Sequence, residues 1–176
     1  MTPEKLLAEL AGIASAHACV EQPRATLQAL DSAVNSLVGR KLLTVLTVNE
    51  RRGTVTRAFS NMGDRYPVGG HKSIAQAPRL RAVLGTGEPF VGRSRNDILA
   101  NYPDADTIFA AGCGSILNFP VRWRQQVVAT VNLLHDEGFY DDHHVDLVRC
   151  LAHAALPALL LDTPNCPDNV NNTRTF

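Results

Sequence analysis

Two adjacent segments with strand-like composition, residues 112–121 and 127–135, constrain the fold of this chain most strongly. Both are rich in β-branched and apolar residues and only a short polar stretch separates them, which predicts two antiparallel strands joined by a tight turn. Each strand carries an asparagine where a strand interior normally holds an apolar residue, Asn118 in the first and Asn132 in the second. A buried amide without partners costs about 1–3 kcal/mol, so both side chains need hydrogen-bond partners in the fold or in a ligand.

The sequence leaves two roles open for Asn118 and Asn132. The first role is structural, and we favour it because buried side-chain amides bond mostly to the backbone. The second role is ligand binding, which requires both side chains to lie on one face of the sheet. A shift of one residue in the strand register would place them on opposite faces, and the sequence does not fix the length of the turn.

The remaining elements follow from apolar periodicity and turn residues. Strands are predicted over 41–48 and 54–60, joined as a hairpin through a polar turn, and over 89–92. Apolar residues at three- and four-residue steps predict the longer helices, and Pro157 is expected to weaken the last of them. The segments predicted as helices are residues 3–18, 23–38, 73–84, 94–100, 104–110 and a final helix that opens at Asp141.

This order of elements predicts an α+β domain around a central antiparallel sheet of about five or six strands. Strands joined by hairpins pair antiparallel, and the flanking helices would pack on one face of the sheet. The Gly- and Pro-rich middle of the chain, residues 61–111, would form an irregular loop region on the other face. Strand 41–48 is apolar on both alternations, as expected of a central strand that is covered on both sides.

The composition narrows the class of partner. The chain has 176 residues, which fits one domain, and 17 basic residues balance 17 acidic ones. We therefore predict neither nucleic-acid binding nor attraction to a membrane surface. Glu4 and Glu9 interrupt the N-terminal apolar stretch, so no signal peptide is predicted. Four cysteines without a close pair indicate reduced thiols in a cytoplasmic protein.

The sequence resembles the GAF domain family, small sensory and regulatory domains related in shape to PAS domains. The resemblance covers about residues 22–161 and rests on the order of the elements and on segments 41–46, 66–72, 112–121 and 129–134. The last two segments are the more specific. An Asn-x-Pro-Val strand, a short turn and a Thr-x-Asn-Leu-Leu strand are typical of this family.

The resemblance implies a fold and a class of function. It implies a GAF/PAS-like domain over 22–161, preceded by an N-terminal helical extension over 1–21 and followed by a tail, 162–176, that its polar composition predicts to be disordered. GAF domains hold small ligands between the sheet and the loops, including cyclic nucleotides, bilins, haem and small metabolites, and many have no known ligand. The resemblance therefore selects no cofactor. Since most GAF domains sit beside an output domain, we expect this one to act through an output protein.

We predict a cavity between the sheet and the loop region 62–111, with Asn118 or Asn132 in its lining. A segment rich in Gly and Pro does not close a dry core as tightly as a helix, and open cavities are either apolar or hold water or ligand on polar groups. The asparagines would supply such groups. The loop residues expected nearest to the ligand are Tyr66, Lys72 and Tyr102. Consecutive N–H groups in segment 66–72 could also cradle an anion, although a plain glycine turn is the reading we favour.

Cys113, between two glycines at the start of the first Asn-bearing strand, is the remaining candidate at the ligand site. The family includes free-methionine-sulfoxide reductases, which use cooperating cysteines, and Cys113 has no close partner in sequence. A reactive thiol also needs a cation or a helix N-terminus to lower its pKa. We therefore favour a small buried side chain and a binding domain rather than an enzyme. A thiol-based enzyme and a ligand-free interaction scaffold remain the alternatives.

Two predictions concern surfaces. One face of a small sheet cannot bury the apolar residues of both N-terminal helices and the C-terminal helix. We therefore predict that three apolar residues of the first helix form a homodimer interface: Leu6, Leu10 and Ile13. On the final helix, His143, Cys150 and His153 lie at helical spacing that would let them share a face. We interpret them as ordinary surface residues and predict no metal site.

Overall fold

Six strands form one open antiparallel sheet at the centre of the computed structural model, which describes residues 2–161. The strands are β1 (Leu42–Asn49), β2 (Thr54–Ser60), β3 (His71–Ser73), β4 (Phe90–Gly92), β5 (Ser115–Trp123) and β6 (Gln126–His135). Their order across the sheet is β3-β2-β1-β6-β5-β4, and every neighbouring pair is antiparallel. The predicted α+β fold with a central antiparallel sheet is confirmed.

Seven α-helices of the described residues surround the sheet. They are α1 (Pro3–Ala16), α2 (Arg24–Leu37), α3 (Pro78–Thr86), α4 (Arg95–Asn101), α5 (Ala105–Ala110), α6 (His143–Ala154) and α7 (Leu156–Leu160). None of the helices in residues 2–161 has the length and apolar character that crossing a bilayer would require. The predicted disordered tail, 162–176, lies outside the described residues.

The helices divide between the two faces of the sheet because the central strands are apolar on both. Leu43 and Val45 of β1 pack with α1, α2, α6 and α7 in the larger core. Leu42, one position earlier and hence on the opposite face, packs in a second cluster with Ile98 of α4 and Ile108 of α5. The short helices predicted within the loop region are present as α3, α4 and α5, and they close the second face only in part.

Several boundaries differ from the sequence predictions for local reasons. The predicted helix 73–84 begins at Pro78, whose missing N–H is tolerated in a first turn. Residue 73, where that helix was predicted to begin, is the last residue of β3, an edge strand of three residues that is too short to show an alternating pattern. The predicted final helix is two helices, since α6 ends at Ala154 and α7 starts afresh with Pro157 in its first turn.

Helix α1 belongs to the same core as the sheet, which corrects the argument for a dimer interface. Ile13 is fully buried against α2 and the larger core, so it is not a surplus apolar residue. Leu6 and Leu10 are partly buried against that core. Leu7 is the strongly exposed leucine of α1, at 68 % relative exposure. The division between an extension, 1–21, and a domain, 22–161, stays a prediction.

Candidate functional site

The two strand asparagines face each other on the side of the sheet that carries the second, smaller cluster. The register of β5 and β6 places Asn118 directly opposite Asn132. Nδ2 of Asn118 donates a hydrogen bond of 2.8 Å to Oδ1 of Asn132, and both side chains are buried. The shared face that ligand binding requires is therefore present.

A polar network extends from this pair across the sheet. Nδ2 of Asn132 donates to Oγ1 of Thr130 at 3.2 Å and to Oγ1 and the carbonyl oxygen of Thr44, both at 3.4 Å. Thr44 lies opposite Asn132 in the register of β1 and β6. The hydroxyl of Tyr102 donates to Oδ1 of Asn118. Side chains thus supply most of the partners that we expected from the backbone, and the network ties β1, β5 and β6 to the end of α4.

Local sequence explains why Tyr102 stands at this position. Helix α4 opens with a capping box, in which Oγ of Ser94 accepts from the N–H of Asp97 at 3.1 Å and the Asp97 carboxylate accepts from the N–H of Ser94 at 2.9 Å. The box fixes the start of the helix. Two turns later the N–H of Tyr102 caps the end by donating to the carbonyl of Ile98 at 2.8 Å. A short helix with both ends fixed aims the Tyr102 ring at β5.

A cavity of about 300 Å³ lies between this face of the sheet and the loop region. Its lining is mostly apolar, and the Asn118–Asn132 network forms the polar part of its wall on the sheet. The apolar side chains of the lining include Leu42, Leu46, Val83, Ile108, Ile116 and Leu134. Ligand sites are typically apolar with a few convergent polar groups, and this cavity has that composition.

Charged side chains line another part of the cavity. Nζ of Lys72 on β3 lies 3.5 Å from a carboxylate oxygen of Asp104, the N-cap residue of α5, and both side chains are about half exposed. Arg57 on β2 is more buried, and burial lowers the pKa of its guanidinium. Its Nη1 donates to the carbonyl of Pro67 at 3.0 Å, and its Cζ lies 5.4 Å from the centre of the Tyr66 ring.

One polar atom of Arg57 lacks a partner. Nε is buried and makes no hydrogen bond with any group of residues 2–161. Arg57 also forms no ion pair with a carboxylate within the same residues, although the charge of Asp104, which pairs with Lys72, partly opposes the lowering of its pKa. A buried donor normally has a hydrogen-bond partner, because removing it from water costs free energy that a partner must return.

The glycines of segment 66–72 serve the protein's own backbone. The N–H of Gly69 donates to the carbonyl of Arg57 at 2.8 Å, so this donor already has a partner within the protein. The N–H of Arg57 in turn donates to the carbonyl of Gly70 at 2.9 Å. A Cβ on Gly70 would lie 3.1 Å from Nη1 of Arg57, so a larger residue there would require the end of the Arg57 side chain to move slightly. The segment therefore pairs with the backbone of Arg57, and the N–H of Gly69 is not available to an anion.

Five of the six residues that the sequence singled out line the cavity: Tyr66, Lys72, Tyr102, Asn118 and Asn132. Burial raises the pKa of Tyr66 and, more strongly, that of Tyr102, so both phenols are neutral hydrogen-bonding groups at ordinary pH. The sixth, Cys113, is outside the lining. Its thiol lies in the second cluster, where Sγ contacts the carbonyl oxygen of Ala111 at 3.7 Å.

The surroundings of Cys113 do not activate its thiol. Burial raises the pKa of Cys113, and this effect outweighs the opposing effect of Lys41. Cys19 and Cys150 are also free thiols, and both are exposed. Within residues 2–161, no three His, Cys, Asp or Glu side chains converge closely enough to hold a metal ion.

Sequence reasoning missed Arg57, Thr44 and Asp104 as lining residues. The position of Arg57 could have been recognised from the sequence. It lies two residues after Val55 and so on the same face of the strand, and Val55 is a fully buried residue of the same lining. A charged residue in phase with a buried one marks an unusual environment. Thr44 carried a weaker signal as a polar residue inside the most apolar strand. Nothing in the local sequence of Asp104 distinguishes it from an ordinary helix cap.

Comparison with known proteins identifies the fold. No protein-family model matches the sequence, and no curated protein matches it significantly. Solved structures do match. The GAF domain of a phosphoenolpyruvate-protein phosphotransferase from Acinetobacter is 13 % identical with a TM-score of 0.68, over 92 % of this chain and 95 % of that one. A GAF domain/HD domain protein from Geobacter sulfurreducens is 16 % identical with a TM-score of 0.64, over 88 % and 98 %.

The chain therefore has the GAF-domain fold, as its sequence resemblance implied. Proteins with this fold include a methyl-accepting chemotaxis protein and a two-component sensor histidine kinase of Sinorhizobium meliloti. They also include the free methionine-R-sulfoxide reductase of Neisseria meningitidis in complex with its substrate, which is 11 % identical with a TM-score of 0.66, over 91 % of this chain and 92 % of that one. The fold thus occurs in sensory proteins and in an enzyme.

Proposed function

We propose that this protein is a sensory or regulatory domain that binds a small molecule non-covalently in the cavity and acts through an output protein. The observation that carries the proposal is the cavity, which is bounded by the Asn118–Asn132 network and by a mostly apolar wall. A structural role for the two amides does not require a cavity beside them. Filling the space with aliphatic side chains would have given a better-packed core.

The size of the cavity sets the size of the ligand. Its volume of about 300 Å³ is at the lower end of the range for ligand pockets, roughly 300–1,000 Å³. A molecule of about 8–15 non-hydrogen atoms fits such a space, since one water occupies about 30 Å³ of liquid. This size favours a small metabolite over haem or a bilin.

The alternative is a thiol-based enzyme, and its support is the fold shared with the methionine sulfoxide reductase. We rank this alternative second because Cys113 is buried and its pKa is raised by that burial, whereas a nucleophilic thiol needs a lowered pKa. The three free thiols of the described residues agree with a reducing compartment, so we also propose a cytoplasmic location.

We further propose that the protein forms a homodimer through the outer face of α1. Ile13 no longer supports this interface, but Leu7 is exposed beside Leu6 and Leu10, which the core covers only in part. An apolar strip on a helix at the edge of the domain fits a second copy of the same helix.

The experiment that tests the proposed function is a thermal-shift screen against small metabolites. A ligand present at 100 times its Kd stabilises the folded state by about 2.7 kcal/mol, which raises Tm by roughly 5–10 °C at this size. The control is Ile116→Trp, which fills the cavity from β5. We expect stabilising molecules for the wild type and none of these for the variant, whereas equal shifts in both proteins would place binding elsewhere.

A further inference from the structure

We propose that the ligand is a small organic monocarboxylate whose carboxylate binds Arg57 and whose apolar body lies on β1, β5 and β6 against the Asn118–Asn132 pair. This inference rests on the proposed function, because it assigns a chemical class to the molecule in the same cavity. It follows from three separate observations, on charge, on an unpaired donor and on the distribution of polar groups.

The charge of the lining favours a single negative charge. Arg57 and Lys72 are cations of the lining and Asp104 is its carboxylate, so these three residues leave one net positive charge. Lys72 and Asp104 compensate each other at 3.5 Å. Arg57 forms no ion pair within residues 2–161, although Asp104 lies close enough to favour its charged form. A bound monoanion would therefore neutralise the net charge of these three residues, whereas a dianion would reverse it.

The unpaired donor favours a carboxylate at Arg57 in particular. Nη1 of the guanidinium is bound to the carbonyl of Pro67, and Nε is buried with no partner in residues 2–161. A carboxylate is planar and accepts two parallel N–H groups from one edge of a guanidinium. It would supply a directly paired counter-charge, and a small shift of the side chain that uncovers Nε would let the same carboxylate satisfy that donor.

The packing around Arg57 holds the guanidinium ready for that contact. Cζ of Arg57 lies over the Tyr66 ring, 5.4 Å from its centre, and a Cβ on Gly70 would lie 3.1 Å from Nη1, so Gly70 leaves the guanidinium slightly more room. An arginine that is already held in place loses little side-chain entropy on binding. Pairing with an anion in this partly buried position is stronger than at an open surface because less water screens it.

The rest of the cavity accommodates an apolar body with one neutral polar group. Arg57 lies on β2 and Asn118 on β5, three strand spacings or about 14 Å apart across the sheet. The wall between them is mostly aliphatic. At the far end, the Asn118 amide donates one N–H to Asn132 and accepts from Tyr102, which leaves one N–H and one lone pair within the described network.

The experiment compares carboxylates with their uncharged isosteres by isothermal titration calorimetry. The probes are hexanoate with hexanamide, phenylacetate with phenylacetamide, and indole-3-acetate with indole-3-acetamide, with phenyl phosphate as a dianion. We expect the best-fitting carboxylate to bind at least about tenfold more tightly than its amide, because a hydrogen bond to a charged group contributes more than a neutral one. Phenyl phosphate should bind less tightly than phenylacetate.

Three variants attribute the preference to Arg57. Arg57→Met keeps the apolar stem and should abolish the preference for carboxylate while amide affinity changes less than about threefold. Arg57→Lys keeps a charge without the planar fork and should retain a reduced preference, which also shows that the site tolerates substitution. Arg51→Met removes a cation from the exposed turn between β1 and β2 and should leave all affinities unchanged.

The outcomes separate this inference from the proposed function. Equal binding of the acids and amides, tighter binding of phenyl phosphate, or a carboxylate preference that survives in Arg57→Met would overturn the carboxylate assignment. The cavity would still be a ligand site in each of these cases. An absence of binding by every probe would overturn the carboxylate assignment too, and the thermal-shift screen would then decide whether the proposed function also fails.

Discussion

Asn118 and Asn132 are each other's hydrogen-bond partners, joined at 2.8 Å across β5 and β6 on the face that borders the cavity. This pairing has two consequences. The amides brace the centre of the sheet through Thr44, Thr130 and Tyr102, and they give an otherwise apolar wall its polar character. The two roles that the sequence left open are therefore compatible.

Replacing one asparagine should lower the free energy of unfolding by more than the contribution of the lost hydrogen bond, because the amide of the other asparagine is left without its partner. We expect Asn118→Leu and Asn132→Leu each to lower the free energy of unfolding by about 1–3 kcal/mol. The double variant should lose less free energy of unfolding than the sum of the two single variants. The difference, measured by urea unfolding, should be a coupling energy of about 0.5–3 kcal/mol. Asn96→Leu, on the exposed side of α4, is the control and should change little. Strict additivity would show that the pair does not act as a unit.

All three tyrosines of the chain should resist ionisation in the folded protein. Burial raises the pKa of Tyr66, Tyr102 and Tyr140 above the ordinary value, which is about 10. Above that pH the unfolded chain releases protons that the folded protein retains, so stability should fall as the pH rises past about 10. An ultraviolet phenolate titration in buffer and in concentrated urea measures the difference. A native tyrosine that titrates as it does in urea would contradict this expectation.

Cys113 should be unreactive in the native protein. We expect iodoacetamide to label the exposed thiols of Cys19 and Cys150 and to reach Cys113 only after unfolding, as peptide mass spectrometry would show. The protein should also show no turnover of free methionine sulfoxide. Turnover that Cys113→Ser abolishes would favour the enzyme alternative over the binding domain.

The proposed dimer makes a prediction about mass. Sedimentation equilibrium should give twice the mass of the 19.1 kDa chain, and Leu7→Glu should shift the protein towards the monomer by placing a charge in the apolar strip of α1. Glu9→Gln, on the same helix, should leave the dimer intact. A monomeric wild type at high concentration would contradict the proposed interface.

The sequence contained enough information to predict the sheet and one wall of the site. Strands β1, β2, β5 and β6 have strong local patterns, and the asparagines at 118 and 132 break the pattern of the two strands that carry them. Residues whose roles depend on the approach of distant segments were harder to predict. The surroundings of Arg57 depend on segment 66–72, which pairs along the edge of β2, and Ile13 became a core residue because α1 docks on α2.

The most direct test of a small-molecule site is native mass spectrometry of the protein purified gently from its natural source. We predict a folded species that carries one additional organic mass of the size the cavity admits, released on unfolding and absent from Ile116→Trp purified in the same way. Loss of the mass from that variant would place the molecule in the cavity. A wild type that shows only the mass of its own chain, with no molecule retained, would contradict the claim that this cavity exists to hold a ligand.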